Sequence, residues 1–214
     1  MVQYTTNKTL KESLDSFDPH VSLDKQFEEL AKYFLYGGYI HVKSDNIDRR
    51  IFIKEVEFYF YDETGKIESN SKVYHRNGKY SNIPDNEVLP IGRNTHYFKP
   101  GSLYLHASGV DITFENKEKQ YRASALIRAF SIEEEGRMQP IYIKQKQNVI
   151  VDPRSTYIYE YMFEGLSIFG DTKYSITWKD DWTEAPKDIT KKERINIGDD
   201  KQWRFIWSKI SRDD

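Results

Sequence analysis

Glu57 sits in the run Ile51-Phe52-Ile53-Lys54-Glu55-Val56-Glu57-Phe58-Tyr59-Phe60-Tyr61, among β-branched and aromatic residues. A carboxylate in such a segment is costly to bury unless it is paired or put to use. Two chemistries fit it: a proton acceptor tuned by apolar surroundings, or the partner of one of the chain's 32 Lys and Arg residues. His75 and His106 pose a similar choice between a functional imidazole and an ordinary packed or surface residue. No His or carboxylate spacing outlines a metal site. The chain has no cysteine, which excludes thiolate ligands, disulfides and cysteine nucleophiles. A nucleophile elbow of the Gly-x-Ser-x-Gly kind, a phosphate loop and a dinucleotide fingerprint are all missing.

The elements that must position these residues are legible from periodicity. Leu23, Phe27, Leu30 and Phe34 form one helical stripe, which predicts a helix from Leu23 to Tyr36 with Ser22 as N-cap and Gly37-Gly38 as its stop. Residues 1–22 are polar, without clear periodicity, and read as an N-terminal arm ahead of one domain over 23–214. Tyr39 to Lys43 and Ile51 to Tyr61 read as strands. Simple alternation would put Ile51, Ile53, Glu55, Glu57 and Tyr59 on one face, with Phe52, Val56, Phe58 and Phe60 mostly on the other. Residues 62–100 form a long polar stretch, of a length that compact domains seldom keep without a functional reason. Ser102 to Ala107 and Val110 to Glu115 predict a hairpin around Ser108-Gly109. Tyr121 to Phe130 and Ile141 to Val151 read as further strands. Asp152-Pro153 opens a helix carrying Tyr157, Ile158, Tyr161 and Met162. Short strands are expected near Tyr174 to Trp178, Arg194 to Ile197 and Trp203 to Ile210.

Composition bounds the answer. A chain of 214 residues buries a large core as one domain. The hydrophobic content is modest, but 12 Phe, 16 Tyr and four Trp make that core aromatic. No stretch approaches a bilayer span, and the start MVQYTTNKTL lacks the apolar region of a secretory signal. A cytoplasmic location and no membrane association are therefore expected. The net charge of −2 does not by itself favour nucleic acid.

The order of the segments adds more than any one of them. Leu30-Ala31 in a helix, then Ile53-Lys54-Glu55-Val56-Glu57-Phe58-Tyr59, then Tyr74-His75-Arg76, resemble the opening of the alkyladenine (3-methyladenine) DNA glycosylase family. Arg93-Asn94 and Phe98-Lys99-Pro100-Gly101-Ser102-Leu103-Tyr104 are similar to its next block. Asn116, Ala125-Leu126-Ile127-Arg128-Ala129, Arg194-Ile195-Asn196-Ile197-Gly198 and Arg204-Phe205 follow in the family's order. The resemblance covers roughly residues 23–210. It implies an α+β fold: one domain with a curved mixed or antiparallel sheet and flanking helices.

The same resemblance implies a function, the hydrolysis of the N-glycosidic bond of alkylated or deaminated purines in DNA, with the damaged nucleotide flipped out of the stack. Glu57 is then the general base on the attacking water, and Arg128 helps to hold the water and the sugar-phosphate. Tyr59, His75 and His106 become walls of the base pocket, Asn116 its floor, and the Ile195 carbonyl a further contact to the water. Arg93 and Lys99 are expected to meet DNA, single-stranded or duplex. No metal or cofactor is implied, and a monomer is expected.

Two departures keep other readings open. The hairpin tip Ala107-Ser108-Gly109-Val110 lacks the bulky residue that family members insert where the flipped nucleotide was. Residues 72–128 carry nine Lys and Arg against five acids, a local excess on an otherwise acidic chain. A non-catalytic module that binds nucleic acid or a nucleobase on the same fold is the main alternative. A hydrolase of single strands or free nucleosides is another.

Overall fold

The computed structural model describes residues 8–62, 97–134, 155–170, 173–182, 189–195, 197–198 and 200–207, with the backbone of 137–139. The expected strand at Ile141 to Val151, the Asp152-Pro153 helix start, His75 and Arg93 lie outside these residues.

The first described element lies in the segment read as an arm. The Glu12 amide donates to Thr9 Oγ1 at 3.2 Å while the Thr9 amide donates to the Glu12 carboxylate at 2.7 Å. This reciprocal cap starts helix α1, Leu10–Asp15. Leu10 and Leu14, with Phe17 just beyond, are buried in the main core. Phe17 stacks on Phe27 at 5.6 Å and meets Phe114 edge-on at 5.1 Å. Two leucines and a phenylalanine are too few to show a period in sequence, yet they cover one end of the sheet.

Helix α2 spans Leu23–Tyr36 and buries Phe27, Leu30, Ala31 and Phe34 on one face, as its stripe predicts. Ser22 precedes it without a side-chain cap bond. The two glycines that follow serve close approach. Gly37 has a φ of −86°, and a Cβ on Gly38 would lie 2.0 Å from the Lys179 carbonyl oxygen. The strand that carries Lys179 therefore passes against bare backbone there.

The strands in chain order are β1 Gly38–Lys43, β2 Asp48–Asp62, β3 Ser102–His106, β4 Gly109–Thr113, β5 Tyr121–Glu134, β6 Arg137–Gln139, β7 Ser175–Asp180, β8 Thr190–Lys192 and β9 Arg204–Ile206. A 3₁₀ turn, Ser155–Tyr157, leads into helix α3, Ile158–Phe163. One sheet runs in the order β3-β4-β5-β2-β1-β7, with β6 on β5 and the β8–β9 pair on the second half of β2. Every pairing among the described strands is antiparallel. The two edges of this order come together. Leu103 and Ile112 from the β3 side line the same cleft, about 130 Å³, as Ile176 and Trp178 from β7, beneath Leu10 and Leu14. The chain is thus an α+β domain with a curved sheet and helices packed on it. The expected strand at Arg194 to Ile197 is not formed by its described residues. Pairing ends at Lys192, and the Ile195 amide goes to a side chain instead.

The central pair β2·β5 is antiparallel along its whole length, with register shifts between Ile53 and Glu55 and between Glu55 and Val56. This β-bulge, one extra residue in β2 matched one step on by one in β5, restores the register but turns the later side chains of both strands to the opposite face. Ile51 and Ile53 before it join Val56, Phe58 and Phe60 after it in the main core. Glu57, Tyr59 and Tyr61 point the other way, and the last two pack with Leu126. The strict alternation expected across Ile51 to Tyr59 is corrected accordingly. Phe58 anchors the core side, stacked on Phe27 at 4.7 Å and edge-on to Phe205 at 5.6 Å.

Because Phe17 is 2% exposed, Phe17→Ala should destabilise the domain by about 3–5 kcal/mol, as a buried aromatic truncation does. Urea unfolding of the variant measures this. A loss within ~0.5 kcal/mol would mean that the leading segment is only loosely docked.

Candidate active site

Residues directly opposed in an antiparallel ladder share a face. Glu57 opposes Leu126 on β5, Leu126 opposes Asp111 on β4, and Asp111 opposes Tyr104 on β3. The next row is Tyr59, Ser124, Thr113 and Ser102. Arg128 lies two residues beyond Leu126, and His106 two beyond Tyr104. Glu57, Tyr59, Arg128, Asp111 and His106 therefore occupy one face of the sheet, the face turned away from the aromatic core.

Glu57 is fully buried, at 0% exposure. Its Oε1 accepts a hydrogen bond from the Tyr59 hydroxyl. Its Oε2 accepts from the Ile195 amide at 3.2 Å and lies 3.9 Å from Arg128 Nε. Arg204 opposes Glu57 on β9 and donates from Nε to Glu55 Oε1 at 2.6 Å. Burial pushes the Glu57 carboxyl above the usual carboxylate range. The Tyr59 hydroxyl, the Arg128 charge, the Ile195 amide and Arg204 oppose that rise in decreasing order. Burial also pushes the Tyr59 phenol up, with the neighbouring Glu57 charge adding to the effect. Tyr59 is accordingly a neutral donor to the raised Glu57 carboxyl.

His106 stands three strands away, beside a carboxylate that sequence reasoning passed over. Its Nε2 lies 3.2 Å from Asp111 Oδ1, and the Ser124 hydroxyl donates to Asp111 Oδ2 at 3.0 Å. The Ser108 amide donates to His106 Nδ1 at 3.2 Å, so the neutral ring carries its proton on Nε2, toward Asp111. The tip of this hairpin is tied down. The Tyr159 hydroxyl shares its one proton between the carbonyls of His106 and Gly109 and accepts the His106 amide at 2.7 Å, while Ser155 Oγ donates to the Ser108 carbonyl at 2.5 Å. Gly109 has a φ of +132°, and a Cβ there would come within 3.0 Å of Ser155.

The other candidates divide. Ile195, whose carbonyl was expected to contact the water, joins Glu57 through its amide N–H, a donor. Asn116 is not brought to the group. Its backbone pairs with Tyr121, five residues along β5 from Leu126 and so roughly 16 Å away, and its Oδ1 accepts the Lys119 amide at 2.8 Å. It closes the β4–β5 turn. Lys99 is exposed in the turn that enters β3, at the opposite end of that strand from His106. His75 and Arg93 lie outside the described residues. Asp111, Arg204 and Tyr159 were missed. The signal for Asp111 was present, since an acid inside the apolar run Val110 to Phe114 raises the same question as Glu57. Among the described residues, no group of three His, Asp or Glu is placed to hold a metal ion.

The raised carboxyl has a consequence with a definite sign. A folded-state pKa above the unfolded value means that the fold prefers the protonated form. This contribution is fully present below about pH 4.5, where the unfolded chain titrates, and is lost as pH rises through the higher folded value. Glu57→Gln removes the titration while keeping the shape. Urea midpoints from pH 4.5 to 8 should therefore fall in the parent relative to the variant, and parallel curves would place Glu57 in the ordinary range. Comparison of the chain with family models, with curated proteins and with solved structures yields no match.

Proposed function

We propose that this chain is a DNA base-excision glycosylase of the alkyladenine type, which hydrolyses the N-glycosidic bond of alkylated or deaminated purines with Glu57 as general base. The observation that carries this reading is the meeting of Tyr59, Arg128 and Ile195 at the one carboxylate of Glu57. These residues lie up to 138 positions apart in sequence, and the order of the segments had singled out all four.

The chemistry follows from the geometry. A water held against Glu57 gives up a proton to the carboxylate as its oxygen bonds to the sugar C1′. The C1′–N bond breaks, and its electron pair leaves with the base. A cationic alkylated purine departs neutral, so no acid is required for that class. A carboxyl lifted above its usual range stands closer to the working pH, where a general base is most effective. Arg128 keeps the carboxylate ionised when the proton is absent, and its partly exposed guanidinium is suited to a phosphate. Tyr59, a neutral phenol, fixes the carboxylate's rotamer. The chain is proposed to act alone, as a monomer, and without a cofactor.

A binding module is the second reading, and one observation favours it. Glu57 is sealed from solvent with both oxygens engaged, whereas a base must reach water. The hairpin tip, fastened to Ser155 and Tyr159, likewise offers no side chain for prising a duplex apart.

Excision assays with 3-methyladenine, ethenoadenine and hypoxanthine in single- and double-stranded oligonucleotides separate the two. Glu57→Gln should cut the rate by roughly 10²–10⁴-fold, the usual contribution of a positioned base, with lesion binding retained. Release from single strands should match or exceed release from duplexes. Binding without release of any lesion would leave the module reading in place. Lys99→Ala should weaken binding evenly across sequences and lower the slope of log affinity against log salt by about one. An unchanged salt slope would put the contact surface elsewhere.

A further inference from the structure

The edge of β2 next to Glu57 changes partner within one residue. Strand β9 pairs with β2 from Glu55 to Glu57, and the Phe58 amide still donates to the Trp203 carbonyl at 2.8 Å. The Phe58 carbonyl, which points the same way, accepts instead from Arg194 Nη1 at 3.3 Å. Arg194 is buried at 4% exposure. Its guanidinium lies 4.9 Å from the Trp203 ring and 5.5 Å from the Tyr59 ring. Trp203 is itself fixed, its indole N–H donating to Asp24 Oδ1 at 2.6 Å. The residue that follows Arg194 gives its amide to Glu57.

We propose that Arg194 is the positioning residue for Glu57: its guanidinium, laid between Trp203 and Tyr59 and bonded to the Phe58 carbonyl, holds the 194–195 turn where the Ile195 amide meets the carboxylate. The consequence for rate rests on the glycosylase reading, but the positional claim does not. A planar fork suits this place because it stacks on rings with its faces and donates from its edge, which an ammonium does not do. The other charged and titratable groups facing the carboxylate are Tyr59 on its own strand, Arg128 on β5 and Arg204 on β9. Asp111 on β4 reaches Glu57 through Tyr59. None of them supplies a backbone donor, so the turn held by Arg194 adds a contact that they do not duplicate.

The experiment follows the Glu57 carboxyl carbon and the Ile195 amide proton by NMR in the full chain from pH 4 to 9. In the parent the two signals should titrate with one midpoint, and Glu57→Gln should abolish the amide's titration. Arg194→Met keeps length and apolar stem while removing the donors. It should raise the Glu57 midpoint by about one pH unit, the worth of one lost hydrogen bond to a charged group. Arg194→Lys, which keeps the charge, should show part of that rise. A folded Arg194→Met chain with an unmoved Glu57 midpoint overturns the proposal, whatever its loss of thermal stability. Should that variant fail to fold, an unmoved midpoint in Arg194→Lys overturns it in the same way. A parent Ile195 amide that ignores the Glu57 titration overturns it as well. If excision occurs, its acid limb moves with the midpoint. If none occurs while the midpoint moves, the positioning role stands and the glycosylase reading is lost.

Discussion

The extra residue in β2 near Glu55 decides which way Glu57 points. Without it, Glu57 would share a face with Ile51 and Ile53, inside the aromatic core, with no donor in reach. With it, the strand stays apolar toward α2 on both sides of the bulge while a carboxylate, a phenol and a second tyrosine turn to the opposite face. A bulge costs a ladder bond and some regularity. On the other edge of β2, β9 docks from Glu55 to Glu57, next to the irregular step.

The buried charges of this domain are of two kinds, and the difference separates structural groups from the candidate site. Arg49 is buried against the Glu134 and Glu164 carboxylates and the Tyr161 carbonyl, which ties α3 to the ends of β2 and β5. Glu115 meets Arg122 at 3.0 Å, and Glu55 meets Arg204 at 2.6 Å. Such contact pairs offset the cost of leaving water and add little net stability. Glu57 has no contact pair among the described residues, since Arg128 stops at 3.9 Å. A phenol and a peptide amide hold it instead. These donors fix the carboxylate's orientation and favour its ionised form, while burial pushes the other way.

Legibility in the sequence followed the strength of local signals. Helix α2 was read to its last residue because Phe27, Leu30 and Phe34 keep one phase over three turns. The hairpin around Ser108-Gly109 was read from turn chemistry between two apolar runs. Helix α1 was missed because one turn carries no period, although Thr9 and Glu12 stand at capping-box spacing. The bulge was invisible because alternation is a rule about regular strands, and both phases of Ile51 to Tyr61 place apolar residues on each face. Glu57 was singled out as a carboxylate among aromatics, and Tyr59 and Arg128 through the order of segments. Asp111 and Tyr159 were not found, since their importance arises only when β4 lies beside β5 and α3 turns back on the hairpin.

Solvent access to this face also follows from the arrangement. At the β3–β4 end the site is shut by hydrogen bonds: Tyr159 binds three backbone groups of the hairpin, Ser155 a fourth, and the His106 and Asp111 side chains are 7% and 2% exposed. Tyr59 and Leu126 close the middle of the face. Arg128, with 19% of its side chain exposed against 11% for Arg204, is the more exposed of the two cations beside Glu57. Turning this side chain outward would lengthen its 3.9 Å approach to the carboxylate. That motion removes the nearest cation from Glu57, and the carboxyl then rises further in its affinity for a proton. Access and basicity are thus coupled through one side chain. The backbone donor at Ile195 remains in place when Arg128 turns away, so the orientation of Glu57 is held by the fold while its charge balance follows Arg128.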